Sequence, residues 1–223
     1  MSEKNPFAPD FSDLPEILPV FPLQGALLLP SGRLPLNIFE PRYLAMVEHA
    51  MATDRLIGMV QPRDDSTPPA LYDTGCAGKI IEFSETTDGR YLITLAGIAR
   101  FKITNELAQD NGYRRVSASW AGFEKDLTQS GCLGLDRKAL NGLLGQYFEM
   151  QGMSCDWDAV ETATDGRLIT CLSMVCPFDP AEKQALLEAD CCKTRADMFM
   201  TMLEMALKSG DVDTGALCSK NKH

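Results

Sequence analysis

The residues that could carry covalent or metal chemistry are few and poorly grouped. The chain holds two histidines, His49 and His223, and eight cysteines. Cys76, Cys132, Cys155, Cys171, Cys176, Cys191, Cys192 and Cys218 contain no Cys-x-x-Cys pair, whereas structural zinc is usually held by two close ligand pairs. They read as thiols of a reducing compartment, mostly buried as small hydrophobes, and the adjacent Cys191-Cys192 as packing at a helix start. A nucleophilic serine or cysteine needs a base within hydrogen-bond reach. Ser130-Gly131-Cys132 sits in a glycine-containing linker without a strand-turn-helix frame, and His49 falls on a helix beside Glu48. Gly75-Cys76-Ala77-Gly78-Lys79-Ile80 comes nearest to a phosphate-binding loop. Its glycines are too close together, however, and no hydroxyl follows the lysine. Asp64-Asp65 reads as solvating charge in a loop. No catalytic residue, cofactor or metal ligand is expected.

The remaining chemistry is that of recognition. An extended polypeptide is held by exposed apolar side chains and by unpaired strand edges. Both are expected in residues 18–47, where Pro19, Pro22, Pro30, Pro35 and Pro41 separate short apolar runs. Each proline fixes its own φ, pushes the preceding residue towards an extended form, and confines its strand to a sheet edge or bulge. The candidate binding residues are Phe21, Pro22 and Leu23 on one such piece, and Phe39, Pro41, Arg42 and Tyr43 on the next. Phe39 and Tyr43 would supply apolar contact. Arg42 would either clamp a carboxylate or pair with Glu40 to hold the turn. Met198, Met202 and Met205, on one helical face, are a second candidate. Their flexible thioethers suit an adaptable groove, and equally suit ordinary core packing.

Short strands are expected at 17–21, 26–29 and 34–39, then a helix from Pro41 to about residue 52 with proline at its first position. A buried strand at 56–60 and a polar loop at 61–69 follow. Strands at 76–83 and 90–95 flank Asp88-Gly89, and 99–103 continues the return strand beyond Gly97. A strand at 113–120 follows Asn111-Gly112. Asp-Gly and Asn-Gly are strong hairpin signals because both turn positions tolerate positive φ. Closely spaced antiparallel strands around an apolar interior suggest a barrel or a strongly curved sheet. From residue 122 the apolar spacing becomes helical, as with Leu140, Leu143, Leu144, Tyr147 and Phe148. Asp179-Pro180-Ala181-Glu182 combines a carboxylate cap, proline and a third-position glutamate, and Thr194 could cap the last helix. The expected organisation is a loose leader (1–16), a β-rich part (17–121), a helical part (122–208) and a disordered polar tail (209–223).

Composition narrows the function classes. With 223 residues, 45% hydrophobic and 23% charged, the chain is an ordinary globular protein able to build a sizeable core. Its formal charge is −10, and both halves are acidic. Nucleic-acid binding draws most of its affinity from neutralised phosphates, so this balance opposes it. No apolar signal core opens the chain, and no apolar run approaches membrane-spanning length. A cytoplasmic protein that does not bind membranes is expected.

One family brings these features together. The carrying residues begin with Leu18-Pro19-Val20-Phe21-Pro22-Leu23, Leu29-Pro30 and Pro35-Leu36-Asn37-Ile38-Phe39-Glu40-Pro41-Arg42-Tyr43. They continue with Ile57-Gly58-Met59-Val60, Tyr72-Asp73-Thr74-Gly75-Cys76-Ala77-Gly78-Lys79-Ile80, and Asp88-Gly89-Arg90-Tyr91 to Ala96-Gly97-Ile98-Ala99-Arg100-Phe101. In order and spacing, residues 17–121 resemble the N-terminal substrate-recognition domain of Lon proteases, as found in small stand-alone proteins. The helical remainder is similar to the part that follows in that family. The resemblance implies an α+β fold: a six-stranded, partly open, PUA-like β-barrel with one packed helix, followed by a C-terminal helical bundle. It also implies a non-catalytic module that binds unfolded or degron-bearing polypeptides, an adaptor or regulator of proteolysis with a protease as partner. The Lon ATPase loop and Ser-Lys dyad are not found in the sequence. Two other classes stay open: RNA binding, by analogy with other PUA-like barrels, and a sensor that works through its thiols or a metal.

Overall fold

The structure is a computed structural model that describes residues 11–128 and 134–218, with side chains as far as residue 209. Most of the expected leader, the Ser130-Gly131-Cys132 linker and His223 lie outside the described residues, as do the side chains of nearly all of the expected tail.

Six strands form one curled sheet in the order β2-β5-β4-β3-β1-β6. β1 (Ile17–Pro22) runs parallel to β3 (Leu56–Val60) and antiparallel to β6 (Tyr113–Ser119). β4 (Thr74–Glu85) joins β3 to β5 (Tyr91–Asp110), and β2 (Arg33–Ile38) lies on the other side of β5. From Lys102 onward β5 also pairs with β6, so the sheet curls back on itself. β2 is left as an edge strand. The result is the partly open barrel that the resemblance implies, not a closed one. The two hairpin turns follow from their residues. Asn111 and Gly112 take φ values of 46° and 83°, the paired positive values of a turn whose twist matches its strands, whereas at Asp88-Gly89 only the glycine is positive, at 81°, in a longer turn closed between Thr86 and Arg90.

The inward faces of five strands meet in a core of Leu18, Val20, Leu56, Val60, Ala77, Ala99, Phe101, Val116 and Trp120. Phe101 lies so close to β3 and β4 that a Cβ on Gly58 or on Gly75 would come within 2.7 Å of its Cζ. α1 (Pro41–Ala52) packs on β1, β3 and β6 through Tyr43, Met46, Val47 and Ala50.

Two expectations about strands do not hold. Residues 26–29 form no strand. Leu27, Leu28 and Leu29 are buried, but Pro30 and Ser31 (φ 65°) turn the chain immediately after them. The segment is tied to β5 where Gly97 N–H donates to the Gly32 carbonyl and Ser31 N–H to the Gly97 carbonyl, both at 2.9 Å. A Cβ on Gly97 would lie 2.0 Å from the Leu29 oxygen. Gly97 therefore admits the loop within the return strand, and β5 runs unbroken for 20 residues, as expected. The second expectation that fails is the edge place of the first proline-bearing strand: β1 holds Pro19 and Pro22 yet pairs with β3 on one side and β6 on the other.

By contacts the chain divides into two units. One is Met1–Ser130 with Thr170–Glu188, so the second half of α4 (Asp165–Val175) and all of α5 (Pro180–Glu188) belong with the sheet. Polar side chains explain this grouping. Gln61 Nε2 donates to the Pro180 carbonyl at 3.0 Å, and Gln184 Nε2 to the Thr74 carbonyl at 3.1 Å. Arg100 Nε and Nη2 bind both oxygens of Asp126 at 2.9 and 2.8 Å, with both side chains buried, while Nη1 reaches the Leu187 carbonyl. Glu182 turns back to the Asp179 N–H at 2.9 Å, the expected capping contact.

The other unit is Gly131–Ile169 with Ala189–His223. Here α2 (Arg137–Gln151) packs on α6 (Cys192–Cys218). Asp136 caps α2 by accepting from the Ala139 N–H, and Gly152 ends it at a φ of 64°. Arg137 binds Asp165 and the carbonyls of Val160 and Ala163, tying α3 (Trp157–Thr162) to the start of α2. The buried stripe of α6 is Ala196, Phe199 and Leu203. Met198 and Met202 flank it half-buried, and Met205 is exposed. The helix starts at Cys192, ahead of Thr194. Thr194 N–H donates to the Cys191 Sγ at 3.5 Å, so the thiol fills the capping place expected of the threonine.

Candidate recognition groove

The end of β1, the end of β2 and the start of α1 enclose a groove of about 250 Å³. Six of the seven candidate residues line it: Phe21, Pro22 and Leu23 from β1 and the turn after it, and Phe39, Arg42 and Tyr43 from the junction of β2 with α1. Pro41 does not line it. Pro41 occupies the first turn of α1, where a missing N–H costs nothing, and the helix lacks a side-chain cap at Glu40. Sequence reasoning missed Leu36, Asn37, Ile38 and Glu40, which complete the lining.

The lining residues divide by exposure. Phe21 and Tyr43 are 7% and 8% exposed, with ring centroids 4.3 Å apart, so they form a floor. Phe39 is 60% exposed and stands at the rim. Burial pushes the Tyr43 hydroxyl above its ordinary pKa of 10.0, against the pull of Arg42. Of the two roles open to Arg42, the structure shows pairing with Glu40. Nε and Nη2 lie 2.9 and 2.8 Å from Glu40 Oε2, with the guanidinium 4.5 Å from the Tyr43 centroid. The pair is about half exposed, so it orients the turn and adds little stability.

A wider hollow of about 460 Å³ adjoins the groove and was not foreseen. It is lined by residues 35–37 of β2, 82–84 of β4 and 92–94 of β5. The strand register sets Leu36 against Ile93 and Ile93 against Phe83. Here the β4–β5 hairpin has outrun the core. Positions 81–85 of β4 are exposed, among them Ile81 at 43% and Phe83 at 38%, and Leu92 on β5 is 45% exposed. Leu36 and Asn37 line both hollows, and the Arg90 guanidinium sits 5.7 Å from the Phe39 ring. The two hollows therefore meet along the edge strand, at Leu36 and Asn37. The missed signal was strand length: in β4 only the first seven positions and Ile80 among them serve the core.

The other chemical candidates are placed as follows. Gly75 to Lys79 lies within β4, with Gly75 against Phe101 and Gly78 against Leu95, so its amides cannot cradle phosphate. His49 lies exposed near the end of α1, its ring 6.0 Å from Tyr113. Asp64 accepts from the N–H groups of Ser66 and Ala70 and from the Ser66 hydroxyl, which holds its carboxyl below the usual range. Among the described residues, six cysteines carry reduced thiols. No group of three or more His, Cys, Asp or Glu there could hold a metal, and no helix is long and apolar enough to cross a membrane.

Comparison with known proteins agrees with this architecture. The chain is 28% identical over 199 residues to Lon protease 2 of Myxococcus xanthus, which covers 86% of this chain and 24% of that protein. It is 30% identical over 108 residues to the Lon protease of Anaeromyxobacter dehalogenans, covering 47% and 13%. The chain thus spans about a quarter or less of the length of these relatives. A Lon N-terminal domain protein from Xanthomonas campestris superimposes with a TM-score of 0.59 at 23% identity, covering 83% of this chain and 97% of that one. The N-terminal domain of Mycobacterium avium complex Lon protease does so with 0.59 at 16%, covering 84% and 98%. These two show the fold. The model of the ATP-dependent protease La (LON) substrate-binding domain matches residues 17–205, and the chain belongs to that family.

Proposed function

We propose that the sheet-bearing unit recognises polypeptides in extended form. Unfolded or degron-bearing chains would seat their apolar side chains in the groove and along the hairpin, in a cytoplasmic adaptor or regulator of proteolysis with a protease as partner. The observation that carries this reading is the pair of adjoining hollows that share Leu36 and Asn37 of an edge strand, with Phe39, 60% exposed, as the most prominent apolar side chain there. A folded chain rarely keeps such a surface uncovered without use. Side-chain seating does most of the work. Pro35 lies in the middle of β2 and has no N–H to offer an added strand, so main-chain pairing there is interrupted. The matched family domain is a substrate-binding one, which supports the reading, and the acidic surface favours apolar or basic segments over acidic ones.

The test is equilibrium binding of a permanently unfolded model protein, reduced and carboxymethylated, to the full chain. Burying a phenylalanine-sized side chain is worth about 1.5–3 kcal/mol, so Phe39→Ala should weaken binding by roughly tenfold or more. Equal affinity of wild type and Phe39→Ala, both folded, would overturn the groove as the site.

A further inference from the structure

The groove's β1 wall ends in a turn that the sheet does not hold alone. Leu23 N–H donates to the Val60 carbonyl at 3.1 Å and Ala26 N–H to the Leu23 carbonyl at 3.4 Å. Gly25 at the apex takes a φ of 73°. Its carbonyl accepts from a residue 158 positions away, Lys183 of α5, whose Nζ lies 2.7 Å from it. The same ammonium reaches the Met174 carbonyl at 3.5 Å, in the last turn of α4, where carbonyls lack helical partners. Lys183 is 7% exposed, and no carboxylate pairs with it among the described residues.

A buried ammonium held by carbonyls, with no carboxylate beside it among the described residues, is costly, and a hydrophobic residue of similar size would ordinarily serve stability as well or better. The arrangement is intelligible when the two carbonyls are taken as its purpose. One belongs to the turn that carries Leu23 into the groove and the other to a helix end. Met174 grips the far end of the same loop, since a Cβ on Gly32 would lie 2.4 Å from its Sδ. The segment from Leu23 to Gly32 is thus clamped at both ends by Thr170–Glu188, the stretch that joins the sheet from late in the chain.

We propose that Lys183 is a positioning residue of the recognition groove, holding the Leu23 wall in its binding conformation through the Gly25 carbonyl. On this view the site is incomplete without α5, although no residue of α5 lines it. The proposal rests on the groove reading above, and the experiment separates the two. Wild type, Phe39→Ala and Lys183→Met are compared for affinity towards the same carboxymethylated protein, for thermal midpoint, and for the methyl resonances of Leu23 against those of core Leu18 and Val20. Residues outside a site that bias its conformation change coupling by amounts equivalent to about 2- to 30-fold. Lys183→Met should therefore weaken binding within that range, move the Leu23 methyls and leave the core methyls in place. Weakened binding in Phe39→Ala, with wild-type affinity or unmoved Leu23 methyls in Lys183→Met, overturns the role of Lys183 and leaves the groove standing. Wild-type affinity in both variants overturns the groove and with it this proposal. Should Lys183→Met fail to fold, Lys183→Gln, polar but uncharged and shorter than the lysine that spans to the Gly25 carbonyl, replaces it: displaced Leu23 methyls with weakened binding support the proposal, and wild-type affinity or unmoved Leu23 methyls overturn it.

Discussion

The ring centroids of Phe21 and Tyr43 lie 4.3 Å apart beneath the groove, one at the end of β1 and the other in the first turn of α1. Both side chains are more than nine-tenths buried, so they shape the site and hold the fold at once. Phe39 beside them is mostly exposed. The two kinds of position respond differently to truncation. Tyr43→Ala should cost about 3 kcal/mol or more, in the range of large-to-small core changes. Phe39→Ala should shift stability by no more than about 0.5 kcal/mol. Urea denaturation with unchanged slope measures both.

Tyr43 also gives the groove a pH signature. Its hydroxyl ionises above 10.0 in the folded chain because burial disfavours the phenolate. The unfolded chain loses that proton first, so folding stability is complete below pH 10.0 and falls as pH rises from there through the folded value. Tyr91 and Tyr113 are raised as well, so the contribution of Tyr43 is the difference between wild type and Tyr43→Phe. The stability difference between them should shift against wild type above pH 10. A constant difference would contradict the burial.

Arg100 and Asp126 test how the late segment is attached. Asp126 accepts from Arg100 Nε, Nη2 and backbone N–H, and the same guanidinium holds the Leu187 carbonyl. Removing one partner of a buried pair leaves the other charge uncompensated, at about 3–5 kcal/mol. Asp126→Asn should therefore lower the urea midpoint by that equivalent. A cost under about 1 kcal/mol would mean that the pair is solvated in solution.

Gly97 and Gly89 separate close approach from turn geometry. A Cβ on Gly97 would meet the Leu29 carbonyl, whereas one on Gly89 meets nothing within 4 Å. Gly89→Ala pays only for its positive φ, about 1 kcal/mol. Gly97→Ala must move a buried loop and should cost more, about 1–3 kcal/mol or above. The reverse order in thermal or urea unfolding would show that the loop does not rest on β5 as described.

How far the sequence could be read depended on whether a feature was local. The Asp-Gly and Asn-Gly turns, the proline at the start of α1 and the cap at Asp179 are short-range signals, and the structure has each of them. Residues 26–29 misled because leucines in a row say that a segment is buried, not that it forms a ladder. What decides its form is a glycine about 70 residues later. The groove was legible in its aromatic and proline residues, since chain turns bring β1 and α1 together. Its other wall was not, because Leu36 to Ile38 read as plain strand. The hairpin hollow depends on how far β4 and β5 extend past the core, and the turn at Gly25 is fastened by Lys183 from 158 positions away, which no periodicity could reveal.

The central claim, that extended polypeptides are held at the groove, is tested most directly by crosslinking from inside it. A photoreactive p-benzoylphenylalanine replacing Phe39, and in a second sample Leu92, would be irradiated with the carboxymethylated protein, with Lys208 on α6 as the comparison position. Adducts from positions 39 and 92, competed by unlabelled unfolded chain and weak from 208, are the predicted result. Adducts from 208 alone, or equal capture at all three positions without competition, would contradict the account.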